Sequence, residues 1–283
     1  MIFGFDINDF VKRVLDEDLG TGGDVTSKAT ISAEARFTAG LVAREPLVVA
    51  GLDIGAAFFR SLDPEVEFDE LASDGDRLNA GEMLVRLAGN ARAILAAERS
   101  ALNTLQHLSG IATLTRRYAD AIEGTGAILL DTRKTIPGLR ALDKYAARMG
   151  GAQNHRMRLD DGILIKDNHV ALAGGVGPAV SAAKAADTDL QVQVEVDKIE
   201  QIEEALDAGA DRLLLDNMDV ATLRKAVDLV AGRVPLEASG GVTLETIRSI
   251  AGTGVDYVSV GRITQSARAV DIGMDYAVQP SPG

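Results

Sequence analysis

From about Thr125 onward the chain repeats one pattern: a short apolar run, a polar or glycine-containing turn, then an amphipathic helical stretch. The runs are Ala127–Leu130, Ile163–Ile165, Val192–Val196, Arg212–Leu215, Val234–Ala238 and Val255–Val260. Between several of them apolar residues recur at the three- and four-residue spacing of a helix with one buried face. Ile199, Ile202 and Leu206 make one stripe, Val220, Leu223, Val227 and Val230 a second, and Leu244, Ile247 and Ile250 a third, with Thr243 placed to cap it. Strands alternating with helices through short loops imply right-handed βαβ units and a parallel sheet, here with enough strands for an α/β barrel.

Before residue 110 the pattern is different. Arg36–Ala43 and Leu47–Ala50 flank a turn at Arg44-Glu45-Pro46, and Glu65–Phe68 and Met83–Leu87 follow as further strands. A helix is expected over Asn90–His107, where Ile94, Leu95, Ala97, Ala101, Leu102, Leu105 and the following Leu108 share a stripe. The division that results is an N-terminal α/β domain over 1–110, a barrel over 111–267, and a tail, 268–283, expected to pack on the first domain.

Charge narrows the function. The chain holds 29 Lys+Arg against 42 Asp+Glu, a formal charge of −13, which argues against general binding of nucleic acid or of a membrane surface. With no cysteine there is no disulfide, thiolate metal site or thiol nucleophile, and three histidines make a zinc centre a poor expectation. The longest apolar stretch, 47–59, contains Asp53 and falls short of the roughly 18–20 residues that span a bilayer. The opening Met1-Ile2-Phe3-Gly4-Phe5-Asp6 lacks the basic segment of a secretory signal, so a cytoplasmic protein is expected.

Each barrel run ends in, or is followed by, polar or glycine residues: Asp131-Thr132-Arg133-Lys134, Lys166-Asp167-Asn168, Glu195, Asp216-Asn217, Ser239-Gly240-Gly241 and Gly261-Arg262. In an α/β barrel these C-terminal strand ends build the active site. Any one of them is explained by polarity resuming where a strand ends; six in register point to one functional mouth. The segment 131–170 is cationic against the trend of the chain, with eight Lys/Arg to five Asp/Glu and two histidines, His155 and His169. Arg133, Lys134, Arg156 and Lys166, at strand ends or in loops, suit a small polyanion. Arg140, Lys144 and Arg148, four apart on the helix expected after Pro137-Gly138, read as a solvated helix face. His155 is open to two readings, a donor to a ligand or a structural loop histidine.

Ser239-Gly240-Gly241, between a strand and the helix expected near Thr243, lets backbone N–H groups and a helix N-terminus approach a phosphate, and Gly261 closes the same cup. Glu195 and Asp216 end adjacent strands and suit Mg²⁺ or sugar hydroxyls, or alternatively a pairing with a cation such as Lys166. The residues thus describe a site for two anionic pieces, one phosphorylated.

Three segments, Asp131-Thr132-Arg133-Lys134-Thr135-Ile136-Pro137-Gly138-Leu139-Arg140, Asn154-His155-Arg156-Met157 and Leu164-Ile165-Lys166-Asp167-Asn168-His169, resemble the quinolinate phosphoribosyltransferase family. So do Gly23-Asp24-Val25-Thr26, Glu98-Arg99-Ser100-Ala101-Leu102-Asn103, Ser239-Gly240-Gly241-Val242 and Asp271-Ile272-Gly273, and the resemblance runs over nearly the whole chain. It implies the type II phosphoribosyltransferase fold, an N-terminal α/β sandwich with a C-terminal open parallel α/β barrel. It implies transfer from phosphoribosyl pyrophosphate to quinolinate, with Mg²⁺, giving nicotinate mononucleotide, pyrophosphate and CO₂. It further implies a homodimer in which Arg99 completes the partner's site. By position Arg133, His155, Arg156 and Lys166 match the holders of the quinolinate carboxylates, and Lys134 matches a pyrophosphate contact. Glu195 and Asp216 match carboxylates near the ribose and Mg²⁺. Ser239, Gly240, Gly241 and Gly261 match the 5′-phosphate cup, with Thr132, Val260 and Arg262 also on the substrate. The catalytic roles fall on Lys134, Lys166, Glu195 and Asp216. The chain departs from the family at Arg262-Ile263-Thr264-Gln265-Ser266, where small residues and a His are usual. Three other readings compete: a molybdenum-transport-associated relative with a similar Asp-Thr-Arg-Lys element, an aldolase using Lys166 or Lys134 as a Schiff-base amine, and a sensor that binds phosphoribosyl pyrophosphate without consuming it.

Overall fold

A computed structural model of the chain describes residues 4–276. The opening Met1-Ile2-Phe3 and the last part of the tail, 277–283, lie outside the described residues. The described residues divide into two compact units: 4–114 with 141–150 and 266–276, and 115–140 with 151–265.

The first unit opens with α1 (Ile7–Leu19), whose N-cap Asp6 accepts the Asp9 N–H, and α2 (Val25–Thr30), capped in the same way by Asp24. There follow β1 (Arg36–Ala43), β2 (Leu47–Val48), α3 (Leu52–Leu62), β3 (Glu67–Glu70), β4 (Arg77–Leu78), β5 (Met83–Asn90) and α4 (Ala91–Ala121). The strand expected at Glu65–Phe68 starts two residues later, and the one expected at Leu47–Ala50 stops at Val48. The helix expected to end at His107 runs 31 residues, so the boundary drawn at 110 falls inside it and the units part at Leu114/Thr115. Its buried stripe simply continues through Leu108, Ile111 and Ala112. Gly110 does not stop it, because a Cβ there would stand 2.1 Å from the Arg268 carbonyl oxygen; the glycine lets the returning tail pass. That tail ends as a strand antiparallel to β1, so the sheet order is β12-β1-β5-β3, with β12 at Ile272–Tyr276. Phe58, Phe59, Leu84, Leu87, Leu102 and Leu105 are at most 1% exposed and form the core of this unit, each contributing about 1.5–3 kcal/mol by burial.

The second unit carries β6 (Ile128–Leu130), then, after α5 (Arg140–Met149), β7 (Ile163–Ile165), α6 (Asp167–Ala173), α7 (Val176–Lys184), β8 (Val192–Val196), α8 (Glu200–Asp207), β9 (Arg212–Asp216), α9 (Val220–Val230), β10 (Leu236–Ser239), α10 (Ile247–Ala251), β11 (Tyr257–Ser259) and α11 (Arg262–Gln265). From Ala141 on, α5 belongs to the first unit. There Lys144 and Asp143 are fully buried while Arg148 is exposed. The expected solvated face is therefore corrected: spacing alone places the three cations together, and packing of the face covers Lys144.

All six strands of the second unit are parallel, in the order β6-β11-β10-β9-β8-β7, and the two edge strands do not pair with each other. One cavity, of about 430 Å³, is lined from β6, β7, β8, β9 and β11, which requires the sheet to curl on itself. This is the open α/β barrel. Register puts Gln193 level with Arg212, Glu237 with Tyr257, and Ser239 with Asp216. Because side chains alternate faces along a strand, Gln193 and Glu195, Arg212 and Asp216, and Glu237 and Ser239 turn to the same, inner face. Among the described residues no helix is long and apolar enough to cross a membrane.

Candidate active site

Asp131, directly after β6 and fully buried, organises one wall of the site. The segment after α5 lies alongside β6 through a parallel bridge between Leu130 and Gln153, with Gln153 N–H donating to Leu129 O (2.9 Å) and Asp131 N–H to Gln153 O (3.1 Å). The Asp131 carboxylate then accepts the His155 N–H at 2.8 Å and the Asn154 side-chain amide at 2.5 Å. Residues 153–156 thus extend the open edge of the barrel, and His155 and Arg156 line its cavity together with Gly162, Gln193 and Arg212. The Arg156 guanidinium donates to Gly162 O at 3.1 Å. Burial, and next the charge of Arg133, lower its pKa from the ordinary arginine value. Arg133 has its own Nε buried with no hydrogen-bond partner among the described residues. Two guanidiniums here repel each other, and one carries an unsatisfied donor.

Opposite, Lys166 follows β7 and its ammonium lies 2.5 Å from Glu195 Oε2, while its backbone N–H donates to His169 Nδ1 at 3.0 Å. The Lys166 side chain is half exposed and that of Glu195 only 11% exposed. Asp216 ends the next strand. Its carboxyl is pushed up from the ordinary carboxylate value by burial and then by the charge of Glu195, against the lowering effect of Lys166. Asn217, at φ +56°, donates its side-chain amide to Asp216 Oδ2 at 2.6 Å and its backbone N–H to Ser239 O at 2.9 Å. Against it sits Gly240 at φ +91°, where a Cβ would fall 2.2 Å from Asn217 Oδ1. Lys134 lies over Gly261, its backbone N–H donating to Thr132 Oγ1 (3.1 Å) and its carbonyl accepting from the buried Thr264 hydroxyl (2.8 Å).

Most of the residues singled out in the sequence lie in the second unit, where the contacts group Arg133 with Arg156, Lys166 and Glu195 with Asp216, Asp216 through Asn217 with Ser239 and Gly240, and Thr132 and Lys134 with Gly261. Arg99 does not, being an exposed residue of α4 in the first unit. Val260 is buried, at 2% exposure, and its N–H donates to Leu130 O at 3.0 Å. Arg262 begins α11 and is exposed, its charge felt by Glu245 and Tyr118. One expectation is corrected: α10 starts at Ile247, not near Thr243, because Thr246 Oγ1 accepts the Thr243 N–H (3.0 Å) and holds 243–246 as a turn. The turn leads straight into the helix, since Thr243 O accepts the Ile247 N–H at 2.9 Å. Among the described residues no three His, Asp or Glu side chains gather as a metal centre, so a divalent ion here would rely on Glu195, Asp216 and ligand oxygens.

Sequence reading passed over the inner layer beneath the mouth. Glu237, fully buried, takes the Gln193 side-chain amide at 2.8 Å, and Arg212 Nη2 stands 2.9 Å from it without hydrogen-bond alignment. The Arg212 guanidinium stacks on the Tyr257 ring at 3.7 Å. The available signal was a lone glutamate inside the apolar run Val234–Ala238, two residues before Ser239 and so on the same strand face.

Compared with known proteins, the chain matches the quinolinate phosphoribosyl transferase N-terminal domain over residues 24–109 and the C-terminal domain over 111–275. It is 46% identical over 272 residues to a carboxylating nicotinate-nucleotide pyrophosphorylase of Mycobacterium leprae, covering 94% of this chain and 96% of that one. It is 42% identical to the mitochondrial decarboxylating quinolinate phosphoribosyltransferase 2b of Nicotiana tabacum, covering 95% and 82%. The solved nicotinate-nucleotide pyrophosphorylase of Francisella tularensis superposes with a TM-score of 0.93 at 38% identity, covering 98% and 99%.

Proposed function

This chain belongs to the quinolinate phosphoribosyltransferase family, and on that premise we propose how its second unit performs the family's reaction. The protein is a decarboxylating phosphoribosyltransferase of NAD biosynthesis: quinolinate and phosphoribosyl pyrophosphate are converted to nicotinate mononucleotide, pyrophosphate and CO₂. The single feature that carries the site reading is the Arg133–Arg156 juxtaposition. Two guanidiniums, one with a depressed pKa and the other with an orphaned Nε–H, are left short of negative charge, and a pyridine dicarboxylate supplies two charges in one rigid ring. Lys166 reaches the same diacid from across the mouth. A Schiff-base role for Lys166 is not favoured, since its ammonium is held by Glu195 at 2.5 Å instead of lying in an apolar pocket.

Loss of pyrophosphate builds positive charge at the anomeric carbon, and Glu195 and Asp216 face that charge with preorganised carboxylates. Attack by the pyridine nitrogen makes a ring cation, which stabilises the electron pair left on the adjacent ring carbon when its carboxylate leaves as CO₂; a proton from water then forms the C–H bond of nicotinate mononucleotide, so no general base is required. Arg133 and Arg156 hold the carboxylate that stays. Lys134 meets the pyrophosphate, and the N–H groups of Gly240, Gly241 and Gly261 receive the 5′-phosphate. Glu195 and Asp216 also fit Mg²⁺: burial and then the charge of Glu195 raise the Asp216 pKa, and these two carboxylates would hold the ion, whose charge would offset both effects. When bound, Mg²⁺ supplies charge to the leaving pyrophosphate. The working form is a cytoplasmic homodimer in which the exposed Arg99 completes the partner's mouth. The test is incubation of the pure protein with both substrates and Mg²⁺. Nicotinate mononucleotide should appear with equimolar CO₂, and a protein that binds phosphoribosyl pyrophosphate yet makes neither product would refute the reading.

A further inference from the structure

We propose that Glu237 is a positioning residue for quinolinate binding: it fixes His155 as a neutral ring protonated on Nε2 and thereby sets the His155–Arg156 pair at the diacid pocket. This rests on the functional reading above and adds a residue to it.

The two nitrogens of His155 have different surroundings. Nδ1 accepts the backbone N–H of Arg156 at 2.8 Å, which requires a lone pair there. Nε2 stands 3.4 Å from Glu237 Oε2, so the ring proton belongs on Nε2, facing the carboxylate. A doubly protonated ring would point Nδ1–H at the Arg156 N–H, two donors head to head. On Glu237 Oε2, Arg212 already supplies a positive charge at 2.9 Å and Gln193 donates at 2.8 Å, while Oε1 is buried with no hydrogen-bond partner among the described residues. The carboxylate cannot turn to water either, since the residue is fully buried.

The same contacts explain why a charged cluster occupies a barrel interior that apolar side chains usually fill. Asp131 holds the backbone of residue 155 and Glu237 holds its ring, so the loop is pinned from both sides. Arg156 is the next residue, and its N–H is committed to that ring. If the ring loses its acceptor at Nε2, it is free to tautomerise, the Nδ1 lone pair is no longer guaranteed, and the Arg156 backbone loses its anchor. In this arrangement His155 acts on the substrate mainly by placing Arg156, and its Nε2–H is already turned toward protein.

Replacing Glu237 alone would strand Arg212 inside the barrel, so the informative variant removes both charges: Arg212→Met with Glu237→Met, of similar length and without an acceptor. A companion, Arg212→Met with Glu237→Gln, restores an oxygen that can accept from Nε2–H. With ¹⁵N-histidine labelling the three rings are resolved, and a His155→Gln sample assigns the signal. In the wild-type protein at neutral pH His155 should be the single Nε2–H tautomer. The double-Met variant should show mixed tautomers and a quinolinate KM raised roughly 10–100-fold, the scale on which partners behind a functional histidine act. Its KM for phosphoribosyl pyrophosphate should stay unchanged, and the Gln companion should recover both the tautomer and the quinolinate KM. The proposal is overturned if the double-Met variant keeps the wild-type tautomer and KM, or if both substrate KM values rise together. Wild-type protein that makes no nicotinate mononucleotide would instead overturn the functional reading, and the tautomer measurement does not depend on it.

Discussion

Replacing Gly240 by alanine tests the most constrained turn in the site. At φ +91° any side chain is strained, at about 1–2 kcal/mol for an L-residue in left-handed backbone. The new Cβ would also fall 2.2 Å from Asn217 Oδ1, 2.6 Å from its Cγ and 2.9 Å from its backbone nitrogen. Asn217 cannot step aside cheaply, since its N–H is bonded to Ser239 O and its own φ is +56°. Forced overpacking of this kind costs about 1–3 kcal/mol, which brings the sum to about 2–5 kcal/mol. At roughly 2–4 °C per kcal/mol, the melting temperature should fall by about 4–20 °C. Gly241 is the internal control: its φ is +60° and a Cβ there meets nothing within 4 Å, so Gly241→Ala should cost only the strain of about 1–2 kcal/mol. Thermal unfolding followed by circular dichroism compares the two. Equal melting temperatures would show that Asn217 does not press on this turn, and the account of how Asp216 is held would fail with it. Turnover of the Gly240 variant should fall as well, because displacing Asn217 breaks its 2.6 Å hydrogen bond to Asp216.

Asp216 titrates above the ordinary carboxylate value because of burial and then Glu195. Its contribution to stability is therefore full below the unfolded pKa of about 3.9 and is lost as pH rises through the folded pKa. Asp216→Asn should accordingly raise the melting temperature at neutral pH while abolishing turnover, and an unchanged or lower melting temperature would contradict the sign. The acid limb of the wild-type kcat/KM profile, which reports the free enzyme, should lie above about pH 3.9 and move down in the residual activity of Glu195→Gln. Lys166→Ala should lower quinolinate turnover by at least about two orders of magnitude. With Lys166 48% exposed, it should cost less than about 1 kcal/mol in urea unfolding. Mixing Arg99→Ala with Lys166→Ala, each inactive alone, should restore partial activity through hybrid sites; no recovery after subunit exchange would refute the shared site.

Several strands and the six-fold barrel rhythm could be read directly from the chain. Arg36–Ala43, Ile163–Ile165 and Val192–Val196 are strands over the limits expected, because alternation and apolar runs are properties of neighbouring residues. That the strand-end polar groups share one side of the sheet is an expectation of the same kind, since parallel βαβ units point all their C-terminal ends one way. Motif order added the chemical identity of the site. Elements decided by distant packing were not legible. α4 runs on past His107 because buried neighbours continue its stripe and Gly110 leaves room for the Arg268 carbonyl. Lys144 is buried despite its helix-face spacing, and α10 starts late because Thr246 closes a turn on Thr243.

The linear chain, then, determined which residues could supply charge and which end of the sheet they would occupy, since both follow from periodicity and local turn chemistry. Only the folded barrel decided how that charge is arranged. It sets Arg133 beside Arg156 with a donor unspent, places Lys166 against Glu195, and holds His155 over Glu237. Those pairings join segments far apart in the chain, and their energies depend on distance and burial, which no spacing along a sequence encodes.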